Sequence, residues 1–257
     1  MDFEGRVALI TGSSSGIGAQ IAIKWSSLGA HVVITGRDQN KIDSVIKTCE
    51  SLSIRRPLGV VADILVESDV KNLVNTTLKE FGRIDILVNN AGYTLSIDFS
   101  SNDYIKSFDQ MFDINLRSVQ VLTRLVVPYL EQSKGNIINM SGRSGERAVP
   151  KAMAHSMAKN ALNMFTKCMA LELAPKGIRV NCVSPSVIRT PLVETSLGDK
   201  WIEFEKLCAT IYPMRRIGEP VDVADAVTFL ASSQSASFIT GCIFPVDGGA
   251  QWTHRPI

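Results

Sequence analysis

The sequence predicts a doubly wound α/β fold, a parallel sheet covered by helices on both faces. Two observations carry this: seven short β-branched runs alternate with helix-periodic segments, and no linker, repeat or low-complexity tract divides the 257 residues. Composition agrees. At 45% apolar and 20% charged, the chain excludes disorder, and 27 basic against 25 acidic residues leave a formal charge of +2, too little for a nucleic-acid or anionic-membrane surface. No stretch approaches a membrane span, and neither the acidic N-terminus nor the final WTHRPI reads as a targeting signal. Five widely spaced cysteines and three histidines (His31, His155, His254) show no metal-ligand spacing. The expectation is a cytoplasmic, metal-free chain forming one domain over residues 1–257, its cysteines acting as small hydrophobes.

The first run, RVALIT, leads into TGSSSGIG (Thr11 to Gly18) and then a helix, where Ile17, Ile21, Trp25 and Leu28 recur at helical spacing. Glycines between a strand and a helix permit a tight turn and close backbone approach to a pyrophosphate, which the helix N-terminus attracts through unpaired N–H groups. With a second strand, HVVIT, following, Gly12, Ser14, Ser15, Gly16, Ile17 and Gly18 form a candidate dinucleotide loop. An ordinary strand-to-helix turn is the competing reading. At the end of HVVIT stand Gly36 and Arg37, where an NAD site would carry an acidic residue for the ribose 2′-hydroxyl. Arginine suits a 2′-phosphate, so NADP(H) is favoured over NAD(H), the alternative for Arg37 being a solvated surface arginine.

Four further runs (LGVVAD, IDILVNN, GNIINMS and GIRVNCVS) precede the closing CIFPVDGG, with helical periodicity at residues 67–81 and 156–173. Residues 190–216, between the sixth and seventh runs, stand out as irregular. There Trp201, Phe204, Leu207, Cys208 and Ile211 make an apolar stripe between Pro191 and Pro213, the pattern of a lid or of a plain packing helix. Arg143 and Arg147 bracket Glu146 just past the fifth run, as an anion site or as a loop ion pair.

Taken together, TGSSSGIG, Asp63, NNAG (Asn89 to Gly92), Asn115, NIINMSG, HSMAK, RVNCVSP, Thr190 and ITGCIFPVDGG resemble the short-chain dehydrogenase/reductase family nearly end to end. The resemblance implies a seven-stranded Rossmann-type sheet, a nicotinamide cofactor and a carbonyl or alcohol substrate. By position it implies Asp63 at the adenine, Asn89 near the ribose, and Ile188 and Thr190 at the carboxamide, with Ile64, Ala91, Gly92 and Pro185 also against the cofactor. It implies a lid at about residues 190–216. Helices near residues 104–131 and 150–175 resemble the family's dimer-forming pair, so a homodimer or homotetramer is expected. Ser186 stands where the family usually has glycine, a change expected to crowd the nicotinamide slightly.

The family's reaction uses an Asn-Ser-Tyr-Lys set: tyrosine exchanges a proton with the substrate oxygen, serine hydrogen-bonds it, lysine holds the ribose, and asparagine anchors a water relay. Here Asn115 and Lys159 match, whereas the tyrosine position is His155 and the serine position Gly142. Ser141 and Ser144 flank Gly142, and strand alternation turns Ser141 to the other face. Losing a positioned acid removes about 10² to 10⁴ in rate. Losing an oxyanion donor removes about 10² to 10³, and the two effects are not additive. Imidazolium is a competent acid with a reference pKa of about 6.5, lowered by a neighbouring Lys159, so carbonyl reduction through His155 is expected to rise toward acidic pH. Three readings stay open: an NADP(H)-dependent oxidoreductase with altered proton transfer, an NADP(H)-binding pseudoenzyme with a sensing or interaction role, and an engineered inactive variant.

Overall fold

The computed structural model describes residues 2–253; Met1 and residues 254–257 lie outside the description, and with them His254 and the end of the WTHRPI segment. All seven expected strands form: β1 (Val7–Ile10), β2 (His31–Gly36), β3 (Leu58–Val61), β4 (Ile86–Asn89), β5 (Asn136–Met140), β6 (Arg179–Pro185) and β7 (Ile243–Val246). They pair in parallel in the order β3-β2-β1-β4-β5-β6-β7. The order reverses between β1 and β4, and the crevice at the carboxyl ends of these two strands is where such sheets bind ligands.

Alternation along each strand feeds two cores. Ala8, Ile10, Val32, Ile34, Ile86 and Val88 pack on one face with Ile21, Trp25, Ile42 and Val227, which come from α1 (Gly16–Ser27), α2 (Gln39–Glu50) and α9 (Pro220–Ala231). Leu9, Val33, Leu87, Ile137 and Val180 face the other side. There they meet Leu73, Val126 and Leu173 of α3 (Glu67–Phe81), α5 (Ser118–Ser133) and α6 (Met153–Leu173). Both strand faces are buried, which is why the strands read as continuous apolar runs rather than as alternating ones.

Segment 190–216 is not irregular: it folds as α7 (Pro191–Leu197), a 3₁₀ turn and α8 (Trp201–Ile211). The expected helix near residues 104–131 is interrupted: α4 (Tyr104–Phe112) passes through a π-helical turn, Asp113–Arg117, into α5. Such wide turns cluster at functional sites, and this one carries Asn115. Among the described residues no helix is long and apolar enough to cross a membrane.

Candidate active site

A cavity of about 710 Å³ opens at the strand carboxyl ends, lined from the glycine loop to α7 and α8. The glycine loop is held by side chains the loop itself supplies. Ser13 Oγ donates to Ile10 O (2.6 Å) and accepts from Thr35 N (2.9 Å), fastening the turn to β2. Gly12 and Gly16 sit in the left-handed region (φ +62° and +57°), and a Cβ on Gly12 would lie 2.9 Å from Ala91 Cα. The α1 ladder first closes from Ala19 N to Ser15 O (3.2 Å), so the N–H groups of Gly16, Ile17 and Gly18 precede it. Ser15 supplies no side-chain cap. The turn therefore presents backbone donors and a positive dipole end to the cavity, a fit for a pyrophosphate.

Most of the expected cofactor residues line this one cavity: Gly12, Ser14, Ser15, Gly16, Ile17, Arg37, Asp63, Ile64, Ala91, Gly92, Lys159, Pro185, Ile188 and Thr190. Gly18 does not; it serves packing, since a Cβ there would stand 2.5 Å from Gly12 O and from Asn90 Nδ2. Asn89 is a correction. Its side chain is buried beneath α5, Nδ2 donating to Asn139 Oδ1 (2.9 Å) on β5 and to Thr123 Oγ1 (3.2 Å) on α5, because alternation on β4 turns it from the crevice. Its neighbour Asn90 lines the cavity instead and donates to Thr11 O (2.9 Å) and Gly12 O (3.1 Å), clamping the loop. The doubled NN was the available signal for Asn90.

Arg37 is exposed at the end of β2 and lines the cavity beside Ser14, whose Oγ would lie 2.4 Å from a Cβ on Gly36. Among the described residues Arg37 makes no hydrogen bond or ion pair, whereas the next residue, Asp38, is committed to capping α2 through Asn40 N and Lys41 N.

At the far end, Asn115, His155 and Lys159 line the same cavity. Lys159 is buried, its Nζ donating to Met140 O (2.9 Å), and burial pulls its pKa down to about 8. Asn115 Nδ2 donates to Tyr93 O (2.9 Å) and Met111 O (3.0 Å), and Tyr93 N donates back to Asn115 Oδ1 (3.3 Å). His155 Nδ1 lies 3.1 Å from the same Tyr93 O. Burial first, then the Lys159 charge, lower the His155 pKa to about 4, overcoming the opposite pull of the Tyr93 carbonyl. The expected direction of that shift is right, and burial exceeds the charge effect that the sequence suggested.

No hydroxyl projects from position 142. Gly142 has an extended backbone (φ 180°), and a Cβ there would meet Ser144 Oγ at 3.6 Å and Pro185 O at 3.8 Å, ordinary contacts. Ser141 Oγ turns away to Lys159 O (3.2 Å), as alternation suggested. Arg143 and Arg147 line the cavity and also meet acceptors of the protein itself. Arg143 lies 3.2 Å from both Glu146 and Asp247, and Arg147 Nη1 donates to Ala250 O (3.2 Å), so internal acceptors engage both. Ser186 does not crowd the cavity with a free hydroxyl, since Tyr212 holds it in a short hydrogen bond.

In the expected lid, Phe204 lines the cavity while Cys208 is fully buried against Tyr212 and Ile217. Leu207 departs from the stripe at 51% exposure, because α8 presents its Trp201–Phe204–Cys208–Ile211 side inward and Leu207 falls beyond that arc. Arg189 ties α8 down through Glu205, bonds Glu219 (3.0 Å) and lies 5.7 Å from the Trp201 ring centre.

The family described as enoyl-(acyl carrier protein) reductase matches residues 12–251. This chain belongs to the short-chain dehydrogenase/reductases, and is an oxidoreductase of that type by homology. It is 35% identical over 252 residues to L-fucose dehydrogenase of Bos taurus, an alignment spanning 97% of this chain and 90% of the relative. A short-chain dehydrogenase/reductase of Caenorhabditis elegans, solved with cofactor, superposes with a TM-score of 0.91 at 33% identity, covering 97% of this chain and 96% of the other. The 3-ketoacyl-(acyl-carrier-protein) reductase of Brucella melitensis, complexed with NADH, gives a TM-score of 0.86 at 35% identity, covering 97% and 99%.

Proposed function

We propose that this chain is an NADP(H)-dependent oxidoreductase that interconverts an alcohol and a carbonyl, with His155 exchanging the proton that the family assigns to tyrosine. The observation that carries the reading is a glycine loop with its exposed backbone donors opening into the same cavity as Asn115, His155 and Lys159. Arg37 and Ser14 would take the 2′-phosphate, the loop backbone the pyrophosphate, Asp63 and Ile64 the adenine, Lys159 the ribose, and Pro185, Ile188 and Thr190 the nicotinamide end. When bound, the nicotinamide accepts or donates hydride. The chain's own groups position the substrate oxygen, exclude water beneath Phe204 and move one proton at His155.

Other elements of the proposal have their own supports. All five cysteines are free, in keeping with a cytoplasmic location. Met153, Met157, Met164 and Leu171 leave an apolar stripe exposed on α6, in keeping with a homo-oligomer, and the single sheet supports one domain throughout. A second reading, cofactor binding without turnover, draws on the missing hydroxyl at Gly142; an engineered Ser-to-Gly and Tyr-to-His pair would leave the same site.

The test pairs binding with turnover. NADPH and NADH are titrated by fluorescence, and alcohols and carbonyls are screened with the chain as it stands and with Gly142→Ser/His155→Tyr. Turnover by the chain itself, lost in His155→Ala, supports the first reading. Turnover by the double variant alone supports the second or an engineered origin, and failure to bind either nucleotide overturns both.

A further inference from the structure

The histidine at the proton-transfer position has a direction built into its ring. We propose that Tyr93 and Asn115 position His155 as a proton acceptor through Nε2, so that near neutral pH the resting site is ready to take the proton of an alcohol, while carbonyl reduction must wait for a second proton on the ring. The proposal rests on the oxidoreductase reading above and specifies its substrate class.

The geometry is as follows. His155 lies in the first turn of α6, with Nδ1 3.1 Å from Tyr93 O. A peptide carbonyl has only lone pairs, so Nδ1 must carry the hydrogen, and in the neutral ring Nε2 is then a bare lone pair. The carbonyl is not free to turn away, because Asn115 holds Tyr93 through both of its backbone groups: Nδ2 donates to Tyr93 O (2.9 Å) and Oδ1 accepts from Tyr93 N (3.3 Å). Asn115 is itself fully buried and anchored to Met111 O (3.0 Å) within the π-helical turn. The tautomer is thus set by a chain of four hydrogen bonds, from Met111 through Asn115 and Tyr93 to the ring.

Burial first, and the Lys159 charge second, keep the ring neutral. On the same helix Lys159 stands one turn on, buried and fixed to Met140 O. In the loop after β5, Arg143 is engaged by Glu146 and Asp247, so neither carboxylate is spare, and Arg147 is bonded to Ala250 O. Lys151 pairs with Asp98 (3.3 Å) on the surface. Along α4 and the π-helical turn, Asp103, Lys106, Asp109, Asp113 and Arg117 are all exposed. Among the described residues no carboxylate hydrogen-bonds the imidazole to hold a second proton on it. With a pKa of about 4, the ring is charged in about one molecule in a thousand at pH 7.

The two directions of reaction then differ. Reduction needs a proton donor at Nε2, which only the rare imidazolium provides. In oxidation, the substrate hydroxyl gives its proton to Nε2 while the carbinol hydrogen leaves as hydride, with its electron pair, for the oxidised nicotinamide, and the C–O bond becomes C=O. The imidazolium so formed sits near the Lys159 charge and passes its proton to water, restoring the acceptor.

The deciding measurement is ¹⁵N NMR of histidine-labelled protein without cofactor, the His155 signals identified by their loss in His155→Gln. The expected result is a protonated Nδ1 and a lone-pair Nε2 at pH 7, with protonation only below about pH 5. A ring protonated at Nε2 in the neutral form, or titrating near its ordinary value, overturns the assignment whether or not a substrate is known. Turnover supplies the second arm: oxidation kcat/KM is expected to stay flat from pH 6 to 8 and reduction kcat/KM to rise about tenfold per unit of acidification. A reduction kcat/KM that stays flat from pH 8 to 6, or an oxidation kcat/KM that falls tenfold per unit over that range, also overturns it. A chain that does neither, yet shows the expected tautomer, refutes the oxidoreductase reading and leaves the ring assignment standing.

Discussion

Replacing Arg37 by alanine isolates the charge on which the preference for NADP(H) rests. The guanidinium is exposed, lines the cavity beside Ser14 and, among the described residues, engages no carboxylate. It is therefore available to a phosphate without first breaking a protein contact. A hydrogen bond to a charged group contributes about 1.5–3 kcal/mol, and an exposed ion pair only about 0.2–1 kcal/mol. A bidentate contact at this half-open position falls between them, at about 1–2 kcal/mol, or roughly a 5- to 30-fold rise in NADPH Kd. NADH lacks the 2′-phosphate, so its Kd is expected to change less than about twofold. Because the contact is exposed, the wild-type advantage for NADPH should shrink as salt is raised from about 0.1 M to 1 M. Fluorescence titration of both nucleotides against both proteins measures all of this without a substrate. Equal weakening of NADPH and NADH, or a wild-type chain that prefers NADH, refutes the reasoning.

Three other perturbations follow from the same geometry. Gly18→Ala places a methyl 2.5 Å from Gly12 O and Asn90 Nδ2, so thermal denaturation should show a loss of about 1–3 kcal/mol and NADPH titration weaker binding; an unchanged Tm contradicts the close packing. Gly142→Ser meets only ordinary contacts on extended backbone, so its Tm should match wild type within about 2 °C, the scatter of a neutral surface change, and a large drop would show that the space is not there. Lys159 has its pKa lowered by burial from 10.5 to about 8. The unfolded chain therefore binds more protons between those values, and stability should rise with pH across that window, by on the order of 3 kcal/mol. The slope should vanish in Lys159→Met, and identical chemical-denaturation profiles from pH 7.5 to 10.5 for the two proteins would show that the buried ammonium carries no such cost.

Much of the architecture was legible because it is written in local pattern. The seven apolar runs became strands, and helix 67–81 matched α3 to the residue, since burial on both faces of a parallel sheet demands continuous β-branched sequence. The glycine loop was readable because glycine suits the left-handed backbone at positions 12 and 16, and a Cβ at position 12 would press on Ala91. Segment 190–216 announced α8 through its apolar stripe but hid α7, which is only seven residues long and is cut off by the break at Gly198–Lys200. The π-helical turn was invisible for a related reason: one extra residue per turn leaves composition untouched yet re-aims Asn115. Asn89 went to the wrong partner because two adjacent asparagines at a strand end face opposite ways, and which of them faces the crevice depends on strand register.

The sequence alone determined the strand–helix order, the phosphate loop, an arginine rather than an acidic residue directly after β2, and the unusual pair Gly142 and His155. These are properties of residue type and spacing, which folding does not alter. Tertiary structure decided what the pair can do. The acid strength and tautomer of His155 depend on burial, on Lys159 nearby and on a Tyr93 carbonyl that Asn115 holds from another helix. Likewise the arginines beside the cavity became structural once Asp247 and Ala250 reached them from the end of the chain. Desolvation and charge proximity act through space, so residues far apart in sequence set the chemistry of one ring.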